Sequence, residues 1–320
     1  MKKIILFMTA IIFLSSCGTL SEEVDYRQEM RKLVIGISEY AKNIHPGFYI
    51  IPQNGIELVS ENGEPEGPLN DAYLAAIDGN GQEDLFYGYN RDDEPTPVEE
   101  NTYLTALLDV SLNAGNTILV TDYCSTPAYM DGSYSSNNDS GYISFAADQR
   151  DLYNIPVYPA SPYGENDLDI TTLAAARNFL YLINPEEYSS KTEFINSIIA
   201  TNYDLLIMDL FFNDDTPFTA GEVMQLKTKA NGGTRLVICY MSIGEAEDYR
   251  YYWLDDWDRD EPSWLEEENP EWEGNYKVKY WDSLWQGIIF GSSTSYLGKI
   301  LDAGFDGVYL DIIDGFEYFE

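Results

Sequence analysis

The feature that most restricts what this chain can fold into is a set of short apolar runs that do not alternate with polar residues. Residues 48–51, 82–87, 117–121, 142–146, 178–183, 204–208, 235–241 and 305–310 each read as a strand. A strand with one wet face alternates in polarity. A run that stays apolar is covered on both faces, as in a parallel sheet flanked by helices. Helical periodicity fills most of the gaps. Met30, Leu33, Val34, Ile37, Tyr40, Ala41 and Ile44 recur at i, i+3, i+4 and i+7, which predicts a helix over 26–43 stopped by His45-Pro46-Gly47. Further helices are predicted over 69–77, 97–114, 191–200, 219–229 and 282–303, and Thr219 and Glu222 form a capping box at the start of one of them. Residues 125–140 read as a loop and 157–169, rich in proline and glycine, as a linker.

Eight such strands, most of them separated by helices, predict an α/β fold of the (β/α)8 TIM-barrel type. A doubly wound open sheet is the competing architecture, but no glycine-rich phosphate loop follows any strand, which weakens a nucleotide-binding reading. The predicted elements begin with a helix and stop just after a strand, whereas a barrel usually begins with a strand and ends with a helix. If the ring closes, the first helix is the one that should follow the last strand. The expectation is therefore a circularly permuted barrel, a rearrangement that closed folds with adjacent termini tolerate.

Charge and composition narrow the chemistry. The chain has 55 Asp and Glu against 18 Lys and Arg, a net charge of −37, and a single histidine, His45. No basic footprint exists for a nucleic-acid partner. One histidine speaks against a histidine-rich zinc site or a Ser-His-Asp triad. Any catalysis falls to carboxylates, and no metal or other cofactor is implied. At the start of the chain, Met1-Lys2-Lys3, an apolar run from Ile4 to Leu14 and Leu14-Ser15-Ser16-Cys17 resemble a bacterial lipoprotein leader. The reading is a signal peptide over 1–16, lipidation of Cys17, an acidic tether over 17–25 and one domain over 26–320. It implies an exported protein anchored by lipid in the cell envelope, at the outer membrane or cell surface. Cys124 and Cys239 are expected to be buried free thiols.

In a barrel the functional groups project from the C-terminal ends of the strands. Those ends carry Gln53 and Asn54; Glu83 and Asp84, with Tyr87 close by; Asp122 and Tyr123; Asp209; Tyr240, Ser242 and Glu245; and Asp311 and Asp314. A ring of carboxylates with amides and tyrosines suits glycoside hydrolysis, which needs one acid/base and one nucleophile or base. A strand-end Asp serves as often as a helix cap, so spacing alone leaves the choice open.

Four groups of motifs carry a resemblance. VICYMSIGEAEDYR (237–250), NPEWEGNY (269–276) with YWD (280–282), GFDGVYLDIID (304–314), and IIPQNG (50–55) with QEDLFYG (82–88) resemble glycoside hydrolase family 114, the endo-α-1,4-polygalactosaminidase-like (β/α)8 barrels. The order departs from the family, where the PQNG and QEDLFYG segments follow GFDGVYLD. That agrees with a permuted chain that starts at the helix after strand four and ends after strand four. The resemblance implies Asp311 and Glu83 as the catalytic pair, with Asp311 as nucleophile and Glu83 as general acid/base. Asp311 is expected to stay ionised with help from tyrosines or Arg250. The substrate subsite is expected to include Asp209, Tyr240, Glu245, Arg250, Asn54, Tyr87, Asp122 and Asp314. The partner implied is a polysaccharide or oligosaccharide substrate. A glycosidase of another substrate on the same scaffold and a non-catalytic glycan-binding lipoprotein are the alternatives.

Overall fold

The computed structural model describes residues 24–213, 216–257 and 259–320. The leader, Cys17 and most of the tether lie outside the described residues. Helix α1 (Tyr26–Ile44) buries the expected stripe of Met30, Leu33, Val34, Ile37 and Ala41. Asp25 caps it by accepting the Gln28 N–H at 2.9 Å.

Strand β1 (Tyr49–Pro52) follows, then α2 (Asp71–Ala76), β2 (Gly79–Glu83), α3 (Val98–Asn113), β3 (Thr117–Tyr123), α4 (Pro127–Asp139) and β4 (Ile143–Ala147). The second part runs β5 (Phe179–Tyr181), α5 (Lys191–Ile199), β6 (Leu205–Met208), α6 (Ala220–Leu226) and β7 (Leu236–Ser242). It continues through β8 (Glu245–Glu247), β9 (Leu265–Glu268), β10 (Asn275–Val278), α7 (Ser283–Ile289), α8 (Tyr296–Ala303) and β11 (Gly307–Asp311). The eight predicted strands correspond to β1 to β7 and β11.

Those eight strands form two parallel sheets, ordered β1-β11-β7-β6-β5 and β2-β3-β4. Strands β11 and β1, from opposite ends of the chain, pair in parallel with Tyr49 opposite Gly307 and Pro52 opposite Leu310. The sheets meet where β1 passes β2. A parallel bridge joins Gln53 to Gly81, and the Asn54 N–H donates to the Gly81 carbonyl at 2.9 Å. The Asp78 carboxylate also accepts the Ile50 N–H at 2.9 Å. At the other edge, β4 and β5 form no ladder among the described residues. They meet through side chains, with the Phe145 and Phe179 rings 5.7 Å apart. The parallel α/β architecture is therefore present, while the expected continuous ring of hydrogen-bonded strands is not.

Three local expectations are corrected, and one element is new. Residues 125–140 contain helix α4 rather than a loop. Its inner face includes the polar Ser133 and Asn137, so an apolar period never showed. The helix predicted over 282–303 is two helices, α7 and α8, broken in a segment where Gly291 takes φ +107°. Strand β2 begins three residues earlier than predicted, runs through Gly79 and Gly81, and ends at Glu83 rather than at residue 87. An antiparallel ribbon ordered β8-β10-β9 follows β7 and was not foreseen. Cys124 and Cys239 are buried and free.

Gly81 explains the odd composition of β2. A Cβ at that position would lie 2.0 Å from the Tyr309 hydroxyl and 2.3 Å from its Cζ. Tyr309 belongs to β11 and is fully buried, so its ring has little room to yield. Gly81→Ala should cost about 1–3 kcal/mol through overpacking. A lower midpoint in urea at an unchanged slope is the expected measurement, and an unchanged midpoint would show that the contact is soft.

Candidate active site

Because the strands of each sheet run parallel, their C-terminal ends gather on one side. The cleft they line has a volume of about 970 Å³. Glu83 leaves β2, Asp311 ends β11, Tyr240 lies on β7 and Asp209 follows β6, and all four border this cleft. Glu83 and Asp311 thus come from different sheets into one space.

Each carboxylate of this pair is held by neutral donors. Glu83 accepts from Asn54 Nδ2 at 3.0 Å and from the Tyr123 hydroxyl. Asn54 also accepts the Glu83 backbone N–H through its own Oδ1 at 3.1 Å, which fixes the residue from two sides. Asp311 accepts from the Tyr240 hydroxyl at 2.6 Å. Burial, and then the charge of Glu83, push the Asp311 carboxyl up to about 7 against the pull of that hydrogen bond. The free site therefore does not keep Asp311 fully ionised near neutrality, contrary to expectation. Arg250 gives it no hydrogen bond here. Its guanidinium forks onto Asp209 at 2.7 and 3.0 Å and holds Glu247 at 2.6 Å. Burial drives the Asp209 carboxyl upward, with Arg250 opposing it.

Asp314 and Glu245 extend the acidic floor. Burial and the charge of Asp311 raise the Asp314 carboxyl to about 8. Glu245 is fully buried and accepts from Asn269 at 2.8 Å and from the Tyr318 hydroxyl at 2.9 Å. Just past Glu83 at the end of β2, Asp84 is driven up to about 6 by burial, although Arg150 donates to it at 2.9 Å.

Eight of the ten residues expected in the catalytic pair and subsite line the cleft: Asp311, Glu83, Asp209, Tyr240, Glu245, Arg250, Asn54 and Asp314. Asp122 and Tyr87 are placed elsewhere. The Asp122 carboxylate is fully buried against α4. It accepts from Phe86 and Tyr87 N–H groups, from Ser133 at 2.5 Å and from Asn137 at 3.1 Å. It is a structural acceptor that ties the loop after β2 to α4. Tyr87 stacks on Tyr129 with centroids 5.3 Å apart, in a small cluster with Cys124. The residue that β3 sends into the cleft is Tyr123. Successive side chains on a strand point to opposite faces, so Asp122 and its neighbour cannot both enter. Parity along β3 was the signal that could have separated them.

Other cleft residues escaped notice. Arg150 sits over the Tyr123 ring at 3.8 Å from its centroid, and its charge is held by Asp84 and Asp92. Tyr181 donates to Gln53 Oε1 at 2.9 Å. Glu247 belongs to the VICYMSIGEAEDYR segment, which marked it without giving a role.

Residues 181–320 match the model of Glycoside-hydrolase family GH114, a family of enzymes that hydrolyse O-glycosyl bonds. The match supports the assignment made on the sequence motifs. An uncharacterized protein of Methanocaldococcus jannaschii is 46% identical over 134 residues, 41% of this chain and 36% of that protein. Uncharacterized proteins of Deinococcus radiodurans and Thermotoga maritima are each 40% identical, over 123 and 121 residues, or 38% of this chain. They are covered to 37% and 36% of their own length, so the chain spans about a third of the curated relatives it matches.

The raised carboxyls have a stability consequence. A carboxyl whose folded value lies above its unfolded value near 4 binds its proton more tightly in the fold. Its contribution is full below the unfolded value and is lost as pH rises through the folded one. For Asp314 that window runs from about 4 to about 8. Asp314→Asn should therefore melt higher than the parent above pH 8 and gain nothing near pH 4. Melting curves across that range check this, and a gain of equal size at both ends would contradict it.

Proposed function

We propose that this chain, whose residues 181–320 carry the GH114 match, is a glycoside hydrolase that cleaves α-linked galactosamine-type polysaccharide with Glu83 and Asp311. The observation that carries this reading is the entry of two carboxylates from separate sheets into one cleft, each positioned by a tyrosine hydroxyl. Such a pair can divide the work of glycosidic cleavage. Asp311 acts as nucleophile and Glu83 as general acid/base, and Tyr240 and Tyr123 hold them in place. In the free site Asp311 retains part of a proton, because Glu83 lies nearby in a desolvated floor. An ammonium group on the sugar, drawn in by Asp311, Asp314 and Glu245, favours the ionised carboxylates. A cationic substrate thus helps to charge its own nucleophile, and a net charge of −37 helps to concentrate it.

The eight parallel strands are taken as a circularly permuted TIM barrel forming one domain over 26–320. Its support is the parallel pairing of β11 with β1 and the reversed order of the sequence motifs. Residues 1–16 are taken as a signal peptide and Cys17 as the lipid attachment site. The protein is then held in the bacterial cell envelope by its lipid alone, on the strength of the LSSC motif.

Asp311→Asn should abolish turnover of galactosamine oligomers while leaving the fold intact. Glu83→Gln should do the same on oligomers, but retain much of the rate on aryl glycosides whose leaving group needs no proton. On such a substrate the acidic limb of kcat/KM should lie near 7 in the parent. It should move lower in Glu83→Gln, since the charge that raises Asp311 is gone. Retention of the anomer in the product, followed by NMR, supports Asp311 as nucleophile. Turnover on neutral glycans alone overturns the substrate. No turnover by the parent on any glycan leaves the binding-protein alternative. Equal rates for both variants and the parent overturn the residue assignment.

A further inference from the structure

From the same cleft we infer a second sugar-binding subsite, built on Trp272, that takes a ring of the glycan chain beyond the scissile bond. This inference rests on the reading of the cleft as a glycosidase site. Five of the six tryptophans are tied into ring contacts. Trp253, Trp257, Trp264 and Trp285 form a chain, and Trp281 packs on Tyr26. Trp272 differs. It makes no ring contact among the described residues, is 53% exposed, and lines the wall of the cleft. A large apolar ring left open to water in a substrate cleft is a surface waiting for a flat apolar partner. The C–H face of a pyranose is such a partner.

The backbone that carries the ring is fixed before any ligand arrives. Trp272 lies in the turn between β9 and β10. Its N–H donates to the Asn269 carbonyl at 3.2 Å, and its carbonyl accepts the Asn275 N–H at 3.1 Å. Glu268 accepts the Gly274 N–H at 2.8 Å, and Asn269 donates to the buried Glu245 at 2.8 Å. Gly274 has φ +85°, and a Cβ there would lie 2.8 Å from Asp248 Oδ1, so the turn is held tightly. A turn already held by hydrogen bonds loses little backbone entropy on binding. The flanking Glu271 and Glu273 also border the cleft and offer carboxylates to an amino sugar stacked on the ring. The cleft volume of about 970 Å³ stands at the upper end of small-ligand sites, which leaves space for more than the sugar being cleaved. Trp272 stands on the ribbon, whereas Glu83 and Asp311 stand on β2 and β11, so binding here is separable from chemistry.

The test is a chain-length series of galactosamine oligomers, together with an aryl galactosaminide, on the parent, Trp272→Ala and Trp272→Phe. A lost ring contact predicts a rise in KM of about tenfold for the long oligomers in Trp272→Ala. kcat should hold, the aryl glycoside should be processed as by the parent, and Trp272→Phe should recover most of the affinity. Calorimetric titration of the long oligomers into Asp311→Asn, with and without Trp272→Ala, reads binding without turnover. Equal KM and equal affinity with and without Trp272 overturn the subsite and leave the proposed activity standing. A parent without turnover, but with binding that depends on Trp272, overturns the activity and keeps the subsite. An equal loss on the aryl glycoside shows a general disturbance of the cleft and also overturns the inference.

Discussion

The close passage of β2 beside β1 and β11 is the constraint on which the site depends. Gly81 has no Cβ, and the Tyr309 hydroxyl occupies the space where one would stand. This lets the three-stranded sheet dock onto the five-stranded one through the Gln53–Gly81 bridge. Two residues further along β2 is Glu83. The docking therefore decides that Glu83 and Asp311, one from each sheet, share a cleft. A side chain at Gly81 would press the sheets apart close to where Glu83 and Asp311 enter the cleft.

The cost of that meeting is electrostatic. Glu83, Asp311, Asp314 and Glu245 all border the cleft, and the nearby Arg250 is committed to Asp209 and Glu247. Neutral donors do most of the holding: Asn54 and Tyr123 on Glu83, Tyr240 on Asp311, and Asn269 and Tyr318 on Glu245. Neutral donors position a carboxylate without cancelling its charge, so the floor stays attractive to a cation while Asp311 is pushed up to about 7. Arginines at the same positions would hold the groups as well, but would quench the negative field of the floor. The two arginines that line the cleft are consistent with this. Arg250 is paired with Asp209 and Glu247, and Arg150 with Asp84 and Asp92.

Much of this could be read in the chain. The strands came from runs of apolar residues, and β6, with Leu205, Leu206, Ile207 and Met208 all buried, shows why such a run needs cover on both faces. The α1 stripe and the Thr219–Glu222 capping box were visible because each depends on residues three or four apart. Helix α4 was hidden for the converse reason. Its buried face spends Ser133 and Asn137 on the Asp122 carboxylate, so the polar residues that read as a loop are the ones that face inward. The β8-β10-β9 ribbon was hidden because its strands are short and two of them are rich in glutamate, with Glu245 buried against Asn269 and Tyr318 and Glu247 against Arg250.

The sequence by itself determined the local period of each element, the motif resemblance and the residues able to carry carboxylate chemistry, because these follow from spacing along the chain and from side-chain type. It also placed the candidate pair at the ends of two strands. The tertiary structure decided which strand-end groups enter the cleft. Asp122 and Tyr123 are adjacent, yet the pleat sends Tyr123 to Glu83 and Asp122 to α4. It decided that Arg250 serves Asp209 rather than Asp311, and that one tryptophan of six remains open in the cleft wall. It also decided the proton affinity of Asp311. That quantity depends on how much water is removed and which charges come near, and both are set by contacts between residues far apart in the chain.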